Sequence, residues 1–432
     1  MPPKAALTTP DEDPGNRSGA PKSRRTRANS EGSIFPYRNG YAAYVWVTTP
    51  DGAKKRKWAY GKTRDETHKR WLKLHEAARK GPVVTKSQSL SAYLNRWLNE
   101  VVRPNLAPAT ASNYDMFVRL YIAPKLGSKR LDKLTLRDVQ TWHNQLKLTC
   151  HCCAQGKDAK RPKSHRNPKV RQRCCAVGNC CSQLASERTV RDAWTVLRAA
   201  LNNAVREELL PRNVAALRRV NKPRRKRVKP WSVDEARQLL ESARTNGDPL
   251  YPAYVLILCL GLRHGELLRL RWKDVDLDAE ELTIGWQLQR IGGKLLHRQT
   301  KTESSDAPLP LIDMCITALR ERKAAQDTAR IAAKSPWPKN GLVFTTRTGH
   351  PIEPRNFNRS FAKAIKRAEV RQIPVHATRK TCASLLVALD VHPRIAMQIL
   401  RHSQIAVTMN IYSEVSSEDT RKALKKLGEK LL

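Results

Sequence analysis

The sequence predicts a multidomain chain, mainly α with small antiparallel sheets (α+β), and three observations carry that expectation. Three short β-like runs separated by turn dipeptides stand near the N-terminus, at 33–61. Apolar residues then recur at helical spacing through 87–213. A Lys/Arg run at 221–229 is followed by Ser232 and Glu235, an S-x-x-E capping signature that opens a new helix and a new domain. A chain of 432 residues allows about two to four domains, and 40% hydrophobic residues with ten Trp supply real cores, which excludes wholesale disorder. Lys and Arg number 81 against 39 Asp and Glu, a formal charge of +42 that points to a polyanionic partner. The longest apolar run, Ala253 to Leu260, falls far short of the ~20 residues that span a bilayer. Residues 1–30 contain no apolar signal-peptide core, so the expected compartment is cytoplasmic with no membrane partner.

Residues 1–30 are Pro-, Ser- and Arg-rich without hydrophobic period and read as a disordered basic tail. A DNA-binding module is expected over 31–82. Its strands are Ser33 to Arg38, Tyr41 to Thr48 and Lys54 to Gly61, with turns at Asn39-Gly40 and Asp51-Gly52. A helix from about Thr63 to Arg79 should cover one face. The other face would then present Tyr44, Trp46, Lys55 and Lys57, as a sheet lying in a DNA groove does. A plain sheet whose aromatics form its core remains open beside that reading.

Over 87–220 a helical domain is expected. Leu90, Tyr93, Leu94, Trp97, Leu98 and Val101 form one stripe, and Tyr114, Phe117, Val118 and Tyr121 a second. Thr135 begins a third helix with Val139, Trp142 and Leu146, and Ser186 caps a fourth with Val190, Trp194, Leu197, Leu201 and Val205. These stripes are packing rather than chemistry. The basic run at 221–229, with Arg224, Arg225, Lys226 and Arg227, reads as a linker that follows DNA phosphates. A solvated charge run or a nuclear-import signal are its alternatives.

Seven of the ten Cys crowd into 150–181, between the third and fourth helices. Cys150 and Cys153 stand at C-x2-C spacing and Cys175 and Cys180 at C-x4-C. Cys152, Cys174 and Cys181 double these positions, with His151 and His165 near. Close pairs separated by a loop suit tetrahedral zinc, because four soft ligands must converge on one ion. The expected metal is a structural zinc, and the number of ligands leaves room for two. Oxidation-prone loop cysteines are the alternative, and a cytosolic compartment disfavours disulfides.

Chemistry concentrates in the C-terminal half. In order come G-L-R-H-G-E (Gly261 to Glu266), a hairpin with Lys301 in Q-T-K-T-E-S-S, H-A-T-R-K-T (His376 to Thr381), and L-R-H-S-Q-I-A-V-T-M-N-I-Y (Leu400 to Tyr412). Cleaving a phosphodiester requires a nucleophile, cations on the non-bridging oxygens, and an acid for the departing alkoxide. Arg263 and Arg379 offer planar forks that match phosphate geometry. His376, three residues before Arg379 and on its helix face, is a proton carrier near neutrality. Tyr412 carries a phenol of reference pKa about 10, which attacks only where cations and a base draw off its proton.

This ordered set resembles the tyrosine recombinase family, the phage-type integrases, firmly over 228–432, by helical pattern over 87–213 and loosely over 33–80. The resemblance implies a mixed, mostly helical catalytic domain at 230–432 and site-specific DNA recombination through a 3′-phosphotyrosyl intermediate, with no cofactor for catalysis. It makes Tyr412 the nucleophile, Arg263 and Arg379 the phosphate clamp, Lys301 the general acid and His402 a donor to the phosphate, with Glu266 orienting its basic neighbours. Two positions depart from the pattern: Arg401 stands where Gly usually precedes the histidine, and Lys380 follows Arg379 where His is common. Expected partners are double-stranded attachment sites, a homotetramer on paired sites and a directionality factor. Residues after Tyr412, with Lys422, Leu424 and Leu427 on an amphipathic tail, would contact a neighbouring protomer. The rivals are a type IB topoisomerase-like relaxing enzyme, a non-catalytic DNA-binding protein and, more distantly, a zinc-containing RNA-binding protein.

Overall fold

The computed structural model describes residues 34–49, 52–83, 88–218, 220, 228–299, 308–333 and 335–412, together with 425 and 429. The chain divides into two compact units, Met1–Pro104 with Tyr114–Asn221, and Asn105–Asn113 with Lys222–Leu432. It is mainly helical with small antiparallel sheets, and among the described residues no helix is long and apolar enough to cross a membrane.

In the first unit, strands Phe35–Tyr37, Gly40–Thr48 and Lys54–Gly61 form an antiparallel meander. Helix Arg64–Lys80 covers one face, and its start is fixed by Thr63, whose side chain accepts from the Glu66 N–H at 3.2 Å. Ala43, Val45 and Val47 pack with Ala59 under Trp71 and Val83 to make the module's core. The helical part follows with Leu90–Trp97, Pro108–Phe117 (in this unit from Tyr114 onward), Leu136–Leu148 and Glu187–Arg206 as its principal helices. The first two pass into single π turns at Leu98–Val102 and Val118–Ile122. Their apolar stripes meet inside: Leu90, Tyr93, Leu94, Val139, Trp142, Leu197 and Leu201 are buried. Buried polar tips are satisfied by main chain, Tyr93 Oη donating to the Ala200 carbonyl at 2.9 Å and Trp142 Nε1 to that of Tyr121 at 2.8 Å. Thr135 and Asp138 form a reciprocal capping box, and Ser186 caps the last helix.

The second unit has one large apolar core, drawn from Trp231 through Ala377. Ser232 and Glu235 form the capping box of helix Val233–Thr245. Helix Tyr251–Cys259 is buried on nearly all sides, and helices Asp313–Ile331, Pro354–Arg367 and Val375–Ala388 surround it. A small sheet, Val275–Asp276, Glu281–Leu282 and Leu309–Pro310, and a hairpin, Trp286–Ile291 with Lys294–Gln299, complete the frame. The hairpin turns at Gly292 and Gly293, both at positive φ. Helices Pro393–Leu400 and Ile405–Tyr412 close the described part of the unit, apart from Lys425 and Glu429.

Candidate active site

The site is built on the end of the most buried helix. Gly261 follows helix Tyr251–Cys259 at φ 58°, and a Cβ there would stand 2.7 Å from Leu400 Cδ2, so the turn needs glycine. Arg263 then caps the short helix His264–Leu267. Glu266, its carboxylate almost wholly buried, accepts from the Arg263 N–H at 2.9 Å and Arg263 Nη1 at 2.7 Å. Arg401 Nη2 reaches the same carboxylate at 2.8 Å from a side chain only 1% exposed. Burial by itself would raise the Glu266 carboxyl, but Arg401 and Arg263 hold it below the usual range.

Helix Val375–Ala388 delivers His376 and Arg379. Arg379 is 6% exposed; its Nη1 donates to the Gly261 carbonyl at 2.8 Å, and its buried Nη2 has no partner among the described residues. Burial, then the charges of Arg263 and Arg401, pull its pKa down to about 9, which leaves it cationic at neutral pH. His376 is exposed, yet desolvation and then Arg379 and Arg263 hold it below the ordinary histidine value. His402 is half-buried, its Nδ1 2.9 Å from the hydroxyl of buried Thr408. Burial and then Arg379, Arg263 and Arg401 push it to about 4, so the ring is neutral at pH 7 with Nε2 left for a ligand.

Arg263, Glu266, His376, Arg379 and His402 therefore form one electrostatic group, as the motif order predicts, joined by two residues that the motifs do not nominate. Arg401 closes helix Pro393–Leu400 at φ 51° and anchors Glu266. His264 is half-buried, with a pKa lowered by burial and then by His376. Only the departure of Arg401 from the family's glycine signals either one in the sequence. Lys380, the other departure, reaches back to the Val228 carbonyl at 3.5 Å.

Tyr412 is not brought to the arginines. Its hydroxyl donates to the Val391 carbonyl, and burial with the Asp390 charge raises its pKa. Lys301 lies outside the described residues. The described hairpin ahead of it turns at Gly292-Gly293, where two successive glycines supply the positive φ a tight turn requires.

On the N-terminal sheet, the placement of Lys55 and Lys57 is also corrected. They pair directly with Val47 and Val45, and opposed residues of an antiparallel pair share a face. Both lysines thus stand on the side that helix Arg64–Lys80 covers, where burial lowers the Lys57 pKa against the opposing charge of Asp132. The open face instead carries Tyr44, Trp46, Arg56, Trp58 and Tyr60. Arg56 lies over the Tyr44 and Trp46 rings at 5.0 and 4.8 Å, and Trp46 is 55% exposed. The aromatics are not the module's core. Strict alternation in R-K-W-A-Y (Arg56 to Tyr60) is the signal that finds Arg56. Arg224, Arg225, Lys226 and Arg227 lie outside the described residues.

The insert gathers all seven of its cysteines. Cys150, Cys153, Cys175 and Cys180 form one group and Cys152, Cys174, Cys175 and Cys181 another, with the sulfurs of each group within 4.8 Å of one another. All are free thiols. Neither histidine joins: His151 Nδ1 meets the Tyr121 hydroxyl at 3.1 Å, and His165 Nδ1 accepts from the Asn167 N–H at 3.0 Å. Such groups are competent to bind a soft divalent metal.

Comparison with known proteins agrees with this geometry. The phage integrase family model matches residues 231–419, and the phage integrase N-terminal SAM-like domain matches 89–147, together more than half of the chain. A tyrosine recombinase XerC-like protein of Caldanaerobacter subterraneus subsp. tengcongensis is 26% identical, over 91% of this chain and 97% of its own. An integrase of Mycobacterium phage D29 is 22% identical, over 93% and 98%. In fold, the Tn1549 transposon integrase, solved with a circular intermediate DNA, superposes with a TM-score of 0.59 at 18% identity, over 79% of this chain and all of that one. The chain belongs to the phage integrase family and is a tyrosine recombinase, an enzyme that transfers DNA strands.

Proposed function

We propose that the chain integrates or excises a mobile element by cutting and rejoining duplex attachment sites, with Tyr412 as nucleophile. The observation that carries this reading is Arg379, a buried cation with an unpaired Nη2 donor beside Arg263. A tetrahedral array of phosphate oxygens satisfies such a group, and so few other ligands do. Arg263 and Arg379 hold the non-bridging oxygens, while neutral His402 donates through Nε2. Tyr412 leaves the Val391 carbonyl and its oxygen attacks phosphorus. The Tyr412 O–P bond forms as the bond from phosphorus to the 5′ oxygen breaks; His376 accepts the phenol proton and Lys301 supplies one to the 5′ alkoxide. The product is a 3′-phosphotyrosyl link, whose ester energy is conserved for attack by another strand's 5′-hydroxyl. Charge on the phosphate is met by arginine, so no cofactor enters the reacting centre.

We assign residues 1–30 to a basic tail, 31–82 to an arm-type DNA-binding module acting through Arg56 and its aromatic neighbours, 87–220 to core-site binding, 221–229 to a linker and 230–432 to catalysis. The enzyme works in the cytoplasm as a homotetramer on paired sites, with a directionality factor choosing between integration and excision. An apolar groove of about 540 Å3, lined by Val233, Leu240, Met314, Leu385 and Leu389, supports the tetramer, since it suits the Leu424 and Leu427 tail of a neighbouring protomer. The insert binds zinc in a structural role. A nicked duplex attachment site tests the core of the proposal: the wild-type chain should leave a covalent protein–DNA adduct, and two such sites should exchange strands. Strand relaxation without exchange would instead make it a topoisomerase-like enzyme.

A further inference from the structure

We propose that the 150–181 insert holds two divalent d10 ions, each bound by four thiolates, with the Cys175 sulfur shared between them; this rests on the zinc reading above. The two ligand groups contain seven different cysteines, and Cys175 belongs to both. Two separate tetrahedral sites would need an eighth ligand. The nearby histidines do not supply it, because neither ring nitrogen of His151 or His165 lies in either group. Thiolate sulfur has lone pairs enough to bridge two ions, so one shared ligand completes both shells.

The distances agree. With metal–sulfur bonds near 2.3 Å, the edge of a tetrathiolate tetrahedron is about 3.8 Å. Cys150 and Cys181 are 3.8 Å apart, Cys152 and Cys174 3.6 Å, and Cys153 and Cys180 3.6 Å. The first of these spans the two groups and is a contact between them rather than an edge, while the other two are edges within one group each. Cys153 and Cys175, at 2.7 Å, are too far apart for a disulfide bond of about 2.05 Å. A tetrahedral edge would set this pair about 1 Å farther apart.

Two features around the sulfurs point the same way. The buried cluster of the insert consists of Cys150, Cys152 and Cys174 with Cys175 against them, so no apolar core exists to hold this loop. A segment so small ordinarily needs a metal or a cross-link to fold. Asp158 is fully buried and accepts from the N–H groups of Arg173, Cys174 and Ala176 at 3.1, 2.9 and 3.1 Å. That strap fixes the Cys174–Cys175 backbone. Seven thiolates around two divalent ions leave net negative charge, and the same insert carries eight Lys and Arg over 155–173.

The full chain, expressed in zinc-replete cells, is analysed by native mass spectrometry and then exchanged with cadmium-113 for NMR. Two ions per chain are expected, with two cadmium resonances in the tetrathiolate range that split each other through the common sulfur. Cys175→Ser should lose at least one ion, whereas Cys315→Ser, outside the insert, should keep both. One ion per chain, or two resonances without mutual coupling, overturns the shared sulfur and leaves the structural-zinc reading standing. No metal with ten titratable thiols, or a Cys153–Cys175 disulfide by mass, overturns both.

Discussion

The basin around Arg379 and the cysteine-rich insert are both clusters of polar, reactive side chains, but they are held in opposite ways. Arg263, Glu266, Arg379 and Arg401 sit on helix ends anchored in a large apolar core, and the Glu266 carboxylate and the Gly261 carbonyl already hold the three arginines in place without substrate. The insert has cysteines where a core would be, strapped by one buried carboxylate. Preorganised donors cost no rearrangement when charge develops on a phosphate. A ligand-built loop gains its free energy of folding from the ion itself. The basin should therefore lose function when a side chain is altered, and the insert when its metal is taken.

The largest effect concerns an atom outside the basin. Tyr412→Phe removes only the oxygen that now binds the Val391 carbonyl, so DNA affinity should stay near wild type while cleavage and covalent adduct vanish. An adduct formed by that variant would move the nucleophile elsewhere. Within the basin, Arg263→Ala and Arg379→Ala should each slow cleavage about 100- to 1,000-fold, the usual cost of a lost charge-stabilising donor. Dozens of other cations keep the DNA bound. Single-turnover cleavage at near wild-type rate in either variant would refute the phosphate clamp.

Removing the anchor should act on folding first. Glu266→Gln leaves Arg401 and Arg263 without their buried counter-charge, which costs about 3–5 kcal/mol by the precedent of broken buried pairs. Arg401→Gly should cost less, because Glu266 keeps Arg263 and a residue at φ 51° is relieved of strain. Urea midpoints that fall from wild type through Arg401→Gly to Glu266→Gln are the expected result; equal midpoints would deny the carboxylate its anchoring role. Chelation sharpens the contrast: stripping metal from the wild-type chain should weaken DNA binding several-fold while the cleavage rate of bound DNA holds. A parallel loss of cleavage would tie the insert to the chemistry.

Much of this arrangement is legible in the sequence, and the parts that are not share a cause. Local signals carry through: Ser232 with Glu235 opens a helix, Lys54 to Gly61 is a strand, and the motifs at 261–266 and 376–379 meet. Each of these depends on neighbours a few residues away, or on chemistry so restrictive that order alone identifies it. The failures depend on distant partners. Arg401 pairs with Glu266 across 135 residues, and nothing near Arg401 predicts a buried carboxylate. Composition alone places Lys55 and Lys57 on the open face, but it does not reveal register, and a shift of one residue turns a strand over. The engagement of Tyr412 with the Val391 carbonyl, in the link between helices Val375–Ala388 and Pro393–Leu400, is likewise a contact at a distance, and it leaves no sequence pattern at all.

The smallest expected effect compares the two units through one histidine in each. His143 lies 2% exposed in the helical part, its Nδ1 accepting from Arg218 Nη2 at 2.7 Å; burial and then the Arg218 and Lys147 charges lower its pKa to about 4. His402 is lowered to about 4 as well, by burial and the arginines of the basin. An unfolded histidine titrates near 6.5. Between about 6.5 and about 4 the unfolded chain therefore binds a proton that the folded chain refuses. Stability is held above that window and declines as pH falls through it, by at most about 1.4 kcal/mol per pH unit at His143, and by less at half-buried His402, where solvent screens the charges. His143→Gln should flatten the acid slope of the first unit alone and His402→Gln that of the second, read by hydrogen exchange on peptides from each unit between pH 4 and 7. If both slopes persist in the double variant, neither histidine is the group that takes up the proton, and the neutral donor assigned to His402 loses its support.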